Sequence, residues 1–216
     1  MSARTETIPL ESGGAAAARA ALERTIAAGG VAVFPSDGVY GLACDPLDSA
    51  AIHRIHRLKG RDDGKPAAVM YFSPLAMREL VAELGPRAAA AVSALLPGPV
   101  TLIVKNPGHR YPLACREDVE RLGVRLLGGP LAGAMCPVFQ TSANLSGKRA
   151  PGRFEDVPDS ILDGVDLAID GGDLSGLPST VVDIAAIDDG GDWEVLRQGA
   201  ISEGDLASAL AKVGLD

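Results

Sequence analysis

A basic cluster between positions 53 and 65 carries the clearest chemical signal in this 216-residue sequence. Lys59-Gly60-Arg61, followed by Lys65-Pro66, places three cations where a predicted helix ends. Arginine supplies a two-pronged planar donor and lysine a mobile point charge, and together these suit a triphosphate. A solvated basic face paired with Asp62 and Asp63 is the alternative. Spacing alone leaves both interpretations open.

A second polar segment, Thr141-Ser-Ala-Asn-Leu-Ser-Gly147, follows a β-prone run and concentrates hydroxyl and amide groups in a predicted turn that can continue into a helix. Such a turn can present backbone N–H groups and hydroxyls to an anion or a ribose. Ser and Asn also shape turns with no ligand present, so the two interpretations are equally supported. The sequence contains neither the glycine-lysine pattern of a P-loop nor a Gly-x-Ser-x-Gly nucleophile elbow.

Histidines and cysteines give no pattern of a metal site or a disulfide framework. His53 and His56 are three residues apart on a predicted helix, but no Cys, Glu or third His is spaced to complete a metal site. Cys44, Cys115 and Cys136 are odd in number and widely spaced, which predicts reduced thiols. We therefore expect no metal ligands among the side chains.

Composition narrows the class of protein. The formal net charge is −8, which disfavours a polyanion as a partner for most of the surface, and 47% of residues are apolar, which allows a large core. No apolar run approaches the ~18 residues of a membrane span, and the N-terminus lacks a secretory signal. We expect one cytoplasmic domain over residues 1–216, since no stretch resembles a linker.

The pattern of apolar residues predicts an α/β protein with many short strands. Predicted helices cover Ala15 to Ala28, a segment capped by Asp48-Ser49, Pro74 to Glu83, Arg87 to Leu96 and Glu203 to Val213. Predicted strands cover Val31 to Phe34, Ala67 to Tyr71, Val100 to Val104, Val124 to Leu127, Val138 to Thr141, Asp166 to Ile169, Thr180 to Ile184 and Glu194 to Leu196. The first predicted helix ends at Gly29-Gly30, and the second runs into the basic cluster.

Taken together, these segments resemble the YrdC-like family of threonylcarbamoyl-AMP synthases, from about Ala20 to Ile201. The resemblance rests on a set of motifs in the family's order, and any one alone could arise by chance. These are Gly29 to Leu42, Leu58 to Arg61 with Lys65-Pro66, Leu96 to Leu102, Gly123 to Leu126, Thr141 to Gly147, Pro178 to Asp183 and Leu196 to Ile201.

The resemblance implies a twisted mixed sheet with flanking helices and a basic concave face. It also implies a nucleotidyltransferase that joins L-threonine, bicarbonate and ATP into threonylcarbamoyl-AMP and pyrophosphate, the intermediate for the t6A modification of tRNA. Mg²⁺ would accompany ATP, and the protein would have an indirect link to tRNA through a tRNA-modifying transferase. Catalysis would then depend on positioning and on cations.

Residue roles follow from the same resemblance. Lys59 and Arg61 are the expected catalytic cations. The expected ATP-binding residues are Lys59, Arg61, Lys65, Ser142, Asn144 and Arg197. The expected threonine- and bicarbonate-binding residues are Ser36, Tyr40, Arg125 and Ser179.

The sequence departs from the family pattern at Gly38, Met70 and Leu127-Gly128-Gly129, where the family often has Thr, His and Pro-x-His. All three departures are expected to touch the acceptor half of the site. One alternative is therefore a related enzyme that makes or hydrolyses another carbamoyl adenylate. The other is an RNA-binding module that uses the basic face, which the net charge and the scarcity of aromatic residues disfavour.

Overall fold

A computed structural model describes residues 5–60 and 66–215, so Arg61 and Lys65 lie outside the described residues. In these ranges ten strands form one mixed sheet. The strands are β1 (Glu6–Pro9), β2 (Ala32–Pro35), β3 (Tyr40–Cys44), β4 (Ala68–Tyr71), β5 (Val100–Lys105), β6 (Arg121–Leu126), β7 (Val138–Ser142), β8 (Leu167–Asp170), β9 (Thr180–Asp183) and β10 (Glu194–Arg197).

The strands lie side by side in the order β1-β8-β2-β3-β7-β4-β6-β5-β9-β10. Strand β8 pairs in parallel with β1 and β2, β4 with β6, and β5 with β9, while the remaining neighbours are antiparallel. Segments distant in sequence, such as β3 and β7, therefore become neighbours at the centre of the sheet.

Eight α-helical segments accompany the sheet in the described ranges. They are α1 (Leu10–Gly13), α2 (Ala15–Ala27), α3 (Ser49–Lys59), α4 (Pro74–Glu83), α5 (Pro86–Leu95), α6 (Pro112–Cys115), α7 (Asp159–Leu162) and α8 (Glu203–Ala211). The predicted cap of α3 is confirmed, because the Asp48 carboxylate accepts hydrogen bonds from the backbone N–H groups of Ala50 and Ala51. Gly60, at a φ of 59°, ends α3 in the left-handed conformation that glycine adopts without steric cost.

One face of the sheet is covered by helices. Because side chains alternate between faces, Val69, Tyr71 and Val124 share this side, where they pack in a buried cluster with residues of α3, α4, α5 and α8. This cluster contains most of the buried apolar side chains of the described residues. Burial of these apolar side chains on the helix-covered face therefore contributes most of the hydrophobic stabilisation of the fold.

The opposite face is covered over part of its width. Helix α2 packs there through Ala18 and Leu22 against Phe34, Met70 and other side chains of a second buried cluster. Further across the same face, residues of β4, β5, β6, β7 and β9 line an open cavity instead. Incomplete coverage of this face therefore creates the concave surface that the resemblance implies.

Two strands escaped prediction. Strand β1 pairs through its backbone with β8, but most of its residues are exposed, so it carries no apolar alternation. Strand β3 contains Gly41, and glycine lowers the strand propensity that the prediction uses. The fold nevertheless favours glycine at this position, because a Cβ there would lie 2.9 Å from the Gln140 amide nitrogen and 3.1 Å from the Phe34 ring. No helix in the described ranges is long and apolar enough to cross a membrane.

Candidate functional site

The uncovered part of the sheet holds a cavity of about 530 Å³. Its lining contains both small or apolar side chains and polar side chains. The polar lining residues are Thr101, Arg125, Gln140, Thr141, Ser142, Asn144, Lys148, Ser179 and Arg197. Ala68 and Gly123 lie between them, and the absence of a larger side chain at these two positions keeps the cavity open.

Lys59 lies beneath one wall of this cavity. It is the last residue of α3, it is only 3% exposed, and its ammonium donates to the backbone carbonyls of Ser142 and Asn144, the latter at 2.9 Å. In return, the backbone N–H of Ser146 donates to the Lys59 carbonyl at 2.8 Å. The end of α3 and the segment after β7 are thus joined by both backbone and side chain.

Within that segment, Ser142 and Asn144 contact one another as well as the cavity. The Ser142 hydroxyl donates to Asn144 Oδ1, and Asn144 Nδ2 donates to the carbonyls of Leu145 and Lys148, each at 2.7 Å. These bonds close a compact turn, and no helix follows it, contrary to one option that the sequence left open. Lys59, Ser142 and Asn144, which are expected from the sequence to hold phosphate, are together called the phosphate cluster below.

Arg125 lies at the floor of the cavity, on β6. Arg125 is 5% exposed. One terminal nitrogen of its guanidinium donates to Asp37 Oδ2 at 2.5 Å, and the other donates to Gln140 Oε1 at 3.2 Å. Burial lowers the pKa of Arg125 and raises that of Asp37, while the attraction between the two charges opposes both shifts. Asp37 and Arg125 are called the floor pair below.

Ser179 and Arg197 meet at the side of the cavity formed by β9 and β10. Arg197 donates to the Ser179 carbonyl at 2.9 Å and to its hydroxyl at 3.3 Å, and that hydroxyl also lies 2.8 Å from Thr101 Oγ1. Burial lowers the pKa of Arg197. Arg197, expected with the phosphate-binding residues, is therefore in direct contact with Ser179, expected with the acceptor residues.

The structure does not place Ser36 and Tyr40 in the lining of this cavity. Tyr40 follows Val39, which does line it, and strand alternation sends the Tyr40 ring to the helix-covered face. There its hydroxyl donates to the Gly172 carbonyl at 2.7 Å and accepts from the Gly171 N–H at 3.0 Å. Burial raises the pKa of Tyr40 to about 12. Tyr40 therefore anchors the loop after β8, which corrects its expected position.

Ser36 is buried, and its hydroxyl has no hydrogen-bond partner among the described residues. Three further residues at the cavity were not predicted from the sequence: Thr101, Gln140 and Lys148. Gln140 offered a usable signal, because an amide in the middle of the apolar run of β7 needs a buried partner. Lys148 offered none, since a lysine after a turn is normally a solvated side chain.

Carboxylates are missing from the cavity lining among the described residues. No group of three or more His, Cys, Asp or Glu residues in those ranges is placed to hold a metal ion. The donor chemistry of the cavity, which consists of cations, hydroxyls and amides, therefore fits an anion.

Residues 24–199 match the family model for Sua5, YciO and YrdC, which carries the description "Telomere recombination". The chain belongs to this family. Among its curated relatives, the Rattus norvegicus protein named threonylcarbamoyl-AMP synthase is 33% identical over 96% of this chain and 75% of its own length. A protein of the same name from Thiobacillus denitrificans is 36% identical over 55% of this chain and 65% of its own length.

Solved structures of the Sua5, YciO and YrdC family share the fold. Pyrococcus abyssi Sua5 complexed with L-threonine superposes with a TM-score of 0.80 at 25% identity, covering 96% of this chain and 61% of that one. Escherichia coli YciO superposes with a TM-score of 0.78 at 26% identity, covering 94% and 99%. The chain thus spans about three fifths of the archaeal Sua5 and nearly all of YciO.

Proposed function

We propose that this protein is an L-threonylcarbamoyladenylate synthase, which forms threonylcarbamoyl-AMP and pyrophosphate from L-threonine, bicarbonate and ATP for t6A modification of tRNA. The observation that carries the proposal is the cavity itself, where the turn residues of the phosphate cluster, Arg125 of the floor pair and Arg197 line one space on the family's fold whose cations, hydroxyls and amides suit an anion. The names of the curated relatives support the same activity.

The phosphate cluster is the proposed site of the triphosphate. Lys59 holds the turn in shape, and the Ser142 and Asn144 side chains line the wall that the phosphates would meet. Arg61 and Lys65 are proposed to add two positive charges for the phosphates. In sequence they stand between Lys59, whose ammonium bonds the cavity-lining turn, and Pro66, which lines the cavity.

The floor pair and Ser179 form the proposed acceptor side. A threonine carboxylate would find the Arg125 guanidinium, and the Ser179 and Thr101 hydroxyls lie within reach of a small polar side chain. Ser36 is proposed to donate to the substrate at this end, because its buried hydroxyl has no hydrogen-bond partner in the part of the chain that the structure describes. Tyr40 would then act indirectly, through the loop that it anchors.

The proposed chemistry requires no strong base. The threonine amine and bicarbonate combine to an N-carboxylate with loss of water, and one of its oxygens attacks the α-phosphorus of ATP while pyrophosphate leaves. Lysine and arginine side chains would stabilise the charge that develops on the phosphate oxygens. Because no carboxylate of the described residues lines the cavity, Mg²⁺ would arrive as the Mg²⁺ complex of ATP, held through phosphate oxygens and water.

The proposal is tested by incubating the purified protein with ATP, Mg²⁺ and bicarbonate, with L-threonine, L-serine or L-valine. Pyrophosphate is measured, and mass spectrometry identifies the adenylate. We expect bicarbonate-dependent release with L-threonine preferred, and valine rejected more sharply than serine, because an unpaired polar site costs more than one lost methyl group. Equal release with all three amino acids would instead favour a related carbamoyl-adenylate enzyme. Gly38, next to Asp37, is then the first residue to examine, because Met70 packs in the buried cluster under α2 and does not line the cavity.

A further inference from the structure

Asp37 lies at the tip of the hairpin that joins β2 to β3. Strand β2 ends at Pro35 and β3 begins at Tyr40, and the Ser36 backbone N–H donates to the Val39 carbonyl at 3.2 Å across the tip. The tight connection places the Asp37 carboxylate against the guanidinium of Arg125, 88 positions later in sequence. None of the residue roles expected from the sequence included Asp37.

Asp37 contacts only one edge of the Arg125 guanidinium. The Asp37 carboxylate accepts a hydrogen bond from one terminal nitrogen of Arg125, and the Gln140 side-chain carbonyl accepts one from the other. Arg125 Nε has no hydrogen-bond partner among the described residues. A guanidinium has five N–H donors in a fixed planar fork, so donors remain for a second anion once the plane is fixed. Arg125 is thus oriented from two sides and still able to bind a further carboxylate.

The hairpin tip is itself held by the loop that leads into β9. The Gly176 backbone N–H donates to the Gly38 carbonyl at 2.8 Å. A Cβ at position 38 would lie 2.1 Å from the Leu177 carbonyl oxygen and 2.7 Å from Ser175 Oγ, far inside contact distance. Gly38 therefore permits a close backbone contact that holds the neighbouring Asp37 in place.

We propose that Asp37 is a positioning residue, which fixes the plane of the Arg125 guanidinium so that its remaining N–H donors meet the carboxylate of the amino-acid substrate. This inference rests on the proposed function for the identity of that substrate. Asp37 acts through Arg125 and does not touch the reacting atoms. The loop contact at Gly38 sets the position of Asp37, which explains physically why a side chain is absent there.

The first test is a binding experiment with Asp37→Ala and Asp37→Asn. L-threonine is titrated calorimetrically into each protein with and without an α,β-methylene analogue of ATP. We expect Asp37→Ala to weaken L-threonine binding by roughly ten- to a hundredfold, the range for one lost charged hydrogen bond, while analogue binding changes less than about twofold. Asp37→Asn keeps the hydrogen-bond acceptor and is expected to fall between wild type and Asp37→Ala.

The matched control is Asp166→Asn. It removes the carboxylate of another arginine pair, Arg54–Asp166, which lies outside the cavity lining. Threonine binding should stay at the wild-type value in this variant. Equal threonine affinity in wild type and Asp37→Ala would overturn the inference, and so would equal loss of threonine and analogue binding, because a general structural defect would weaken both.

A second measurement needs no substrate. An arginine-selective ¹H–¹⁵N NMR spectrum should show a slowly exchanging Nε–H signal from Arg125, assigned by its loss in Arg125→Lys. This signal should broaden or exchange faster in Asp37→Ala and persist in Asp166→Asn. An unchanged signal in Asp37→Ala would overturn the positioning role. Wild-type protein that binds no L-threonine would overturn the proposed function instead, and the arginine spectrum then decides the role of Asp37.

Discussion

The phosphate cluster and the floor pair hold their cations in two different ways. Lys59 donates to backbone carbonyls of the turn after β7, so its charge is part of the local fold. Arg125 is oriented by the side chains of Asp37 and Gln140, and its Nε has no hydrogen-bond partner within residues 5–60 and 66–215. Changes at the phosphate cluster should therefore cost stability together with binding, whereas changes at the floor pair should act mainly on binding.

The largest effect is expected from Lys59→Ala. Its removal leaves the Ser142 and Asn144 carbonyls without charged donors in a buried place, and we expect the free energy of unfolding to fall by about 3 kcal/mol or more. Urea denaturation measures the change. Lys105→Ala is the control, because Lys105 pairs with Asp189 at an exposed position and should matter by less than about 1 kcal/mol. Similar losses in both variants would contradict the comparison.

Asn144→Ala is expected to destabilise the protein next most strongly, by about 2 kcal/mol, because its amide bonds the carbonyls of Leu145 and Lys148. Ser142→Ala loses one hydroxyl bond within the same turn and should cost under about 1 kcal/mol. Both variants should release pyrophosphate more slowly per folded molecule. Thermal melting paired with the pyrophosphate assay distinguishes them, and an Asn144→Ala variant as stable as wild type would show that the turn holds its shape without the amide.

Gly38→Ala tests whether the loop contact at Gly38 holds the floor pair in place. The added Cβ would collide with the backbone of Leu177, so the loop or the hairpin must move, at an expected cost of about 1 to 3 kcal/mol. Gly204→Ala is the matched control, since that glycine lies in α8 with open space around it and alanine there should be neutral or stabilising by up to about 1 kcal/mol. Denaturant midpoints measure both, and a neutral Gly38→Ala would show that the loop contact is soft.

The smallest effect concerns the Arg54–Asp166 pair, which serves as a reference outside the cavity. Partial burial raises the pKa of Asp166, but hydrogen bonds from Arg54 and from the Val31 backbone N–H outweigh it and hold the pKa below the ordinary 3.8. A lowered folded-state pKa means that the stabilisation is present above pH 3.8 and is lost as the pH falls through the folded-state value.

Asp166→Asn should therefore melt below wild type at pH 7, by a difference worth no more than about 1 kcal/mol, and the difference should shrink at low pH. Melting curves across that range measure it. A difference that grows on acidification would mean that the pair does not act through the charge of Asp166. The result calibrates what an arginine–carboxylate pair contributes when it supports no binding site.

Much of the fold was predictable because it depends on local pattern. The predicted bounds of α4 match those in the structure, and β5 extends one residue beyond its predicted end at Val104. Both segments are rich in apolar residues, and a proline marks where each begins. Strand β1 was not predictable, because backbone pairing with β8 forms it and its side chains carry no pattern. Among the expected site residues, Ser142, Asn144, Ser179, Arg125 and Arg197 do line one cavity.

The α/β class, the chemical character of the site and the family could all be recognised from the amino-acid sequence. These depend on residue types and short spacings, which need no knowledge of the fold. The three-dimensional fold was needed to show that Tyr40 faces away from the cavity, that Arg197 contacts Ser179, and that Asp37 contacts Arg125. Each of these depends on which face of a strand a residue occupies and on which distant strands become neighbours. Long-range packing sets both, and a one-residue change of register would reverse them.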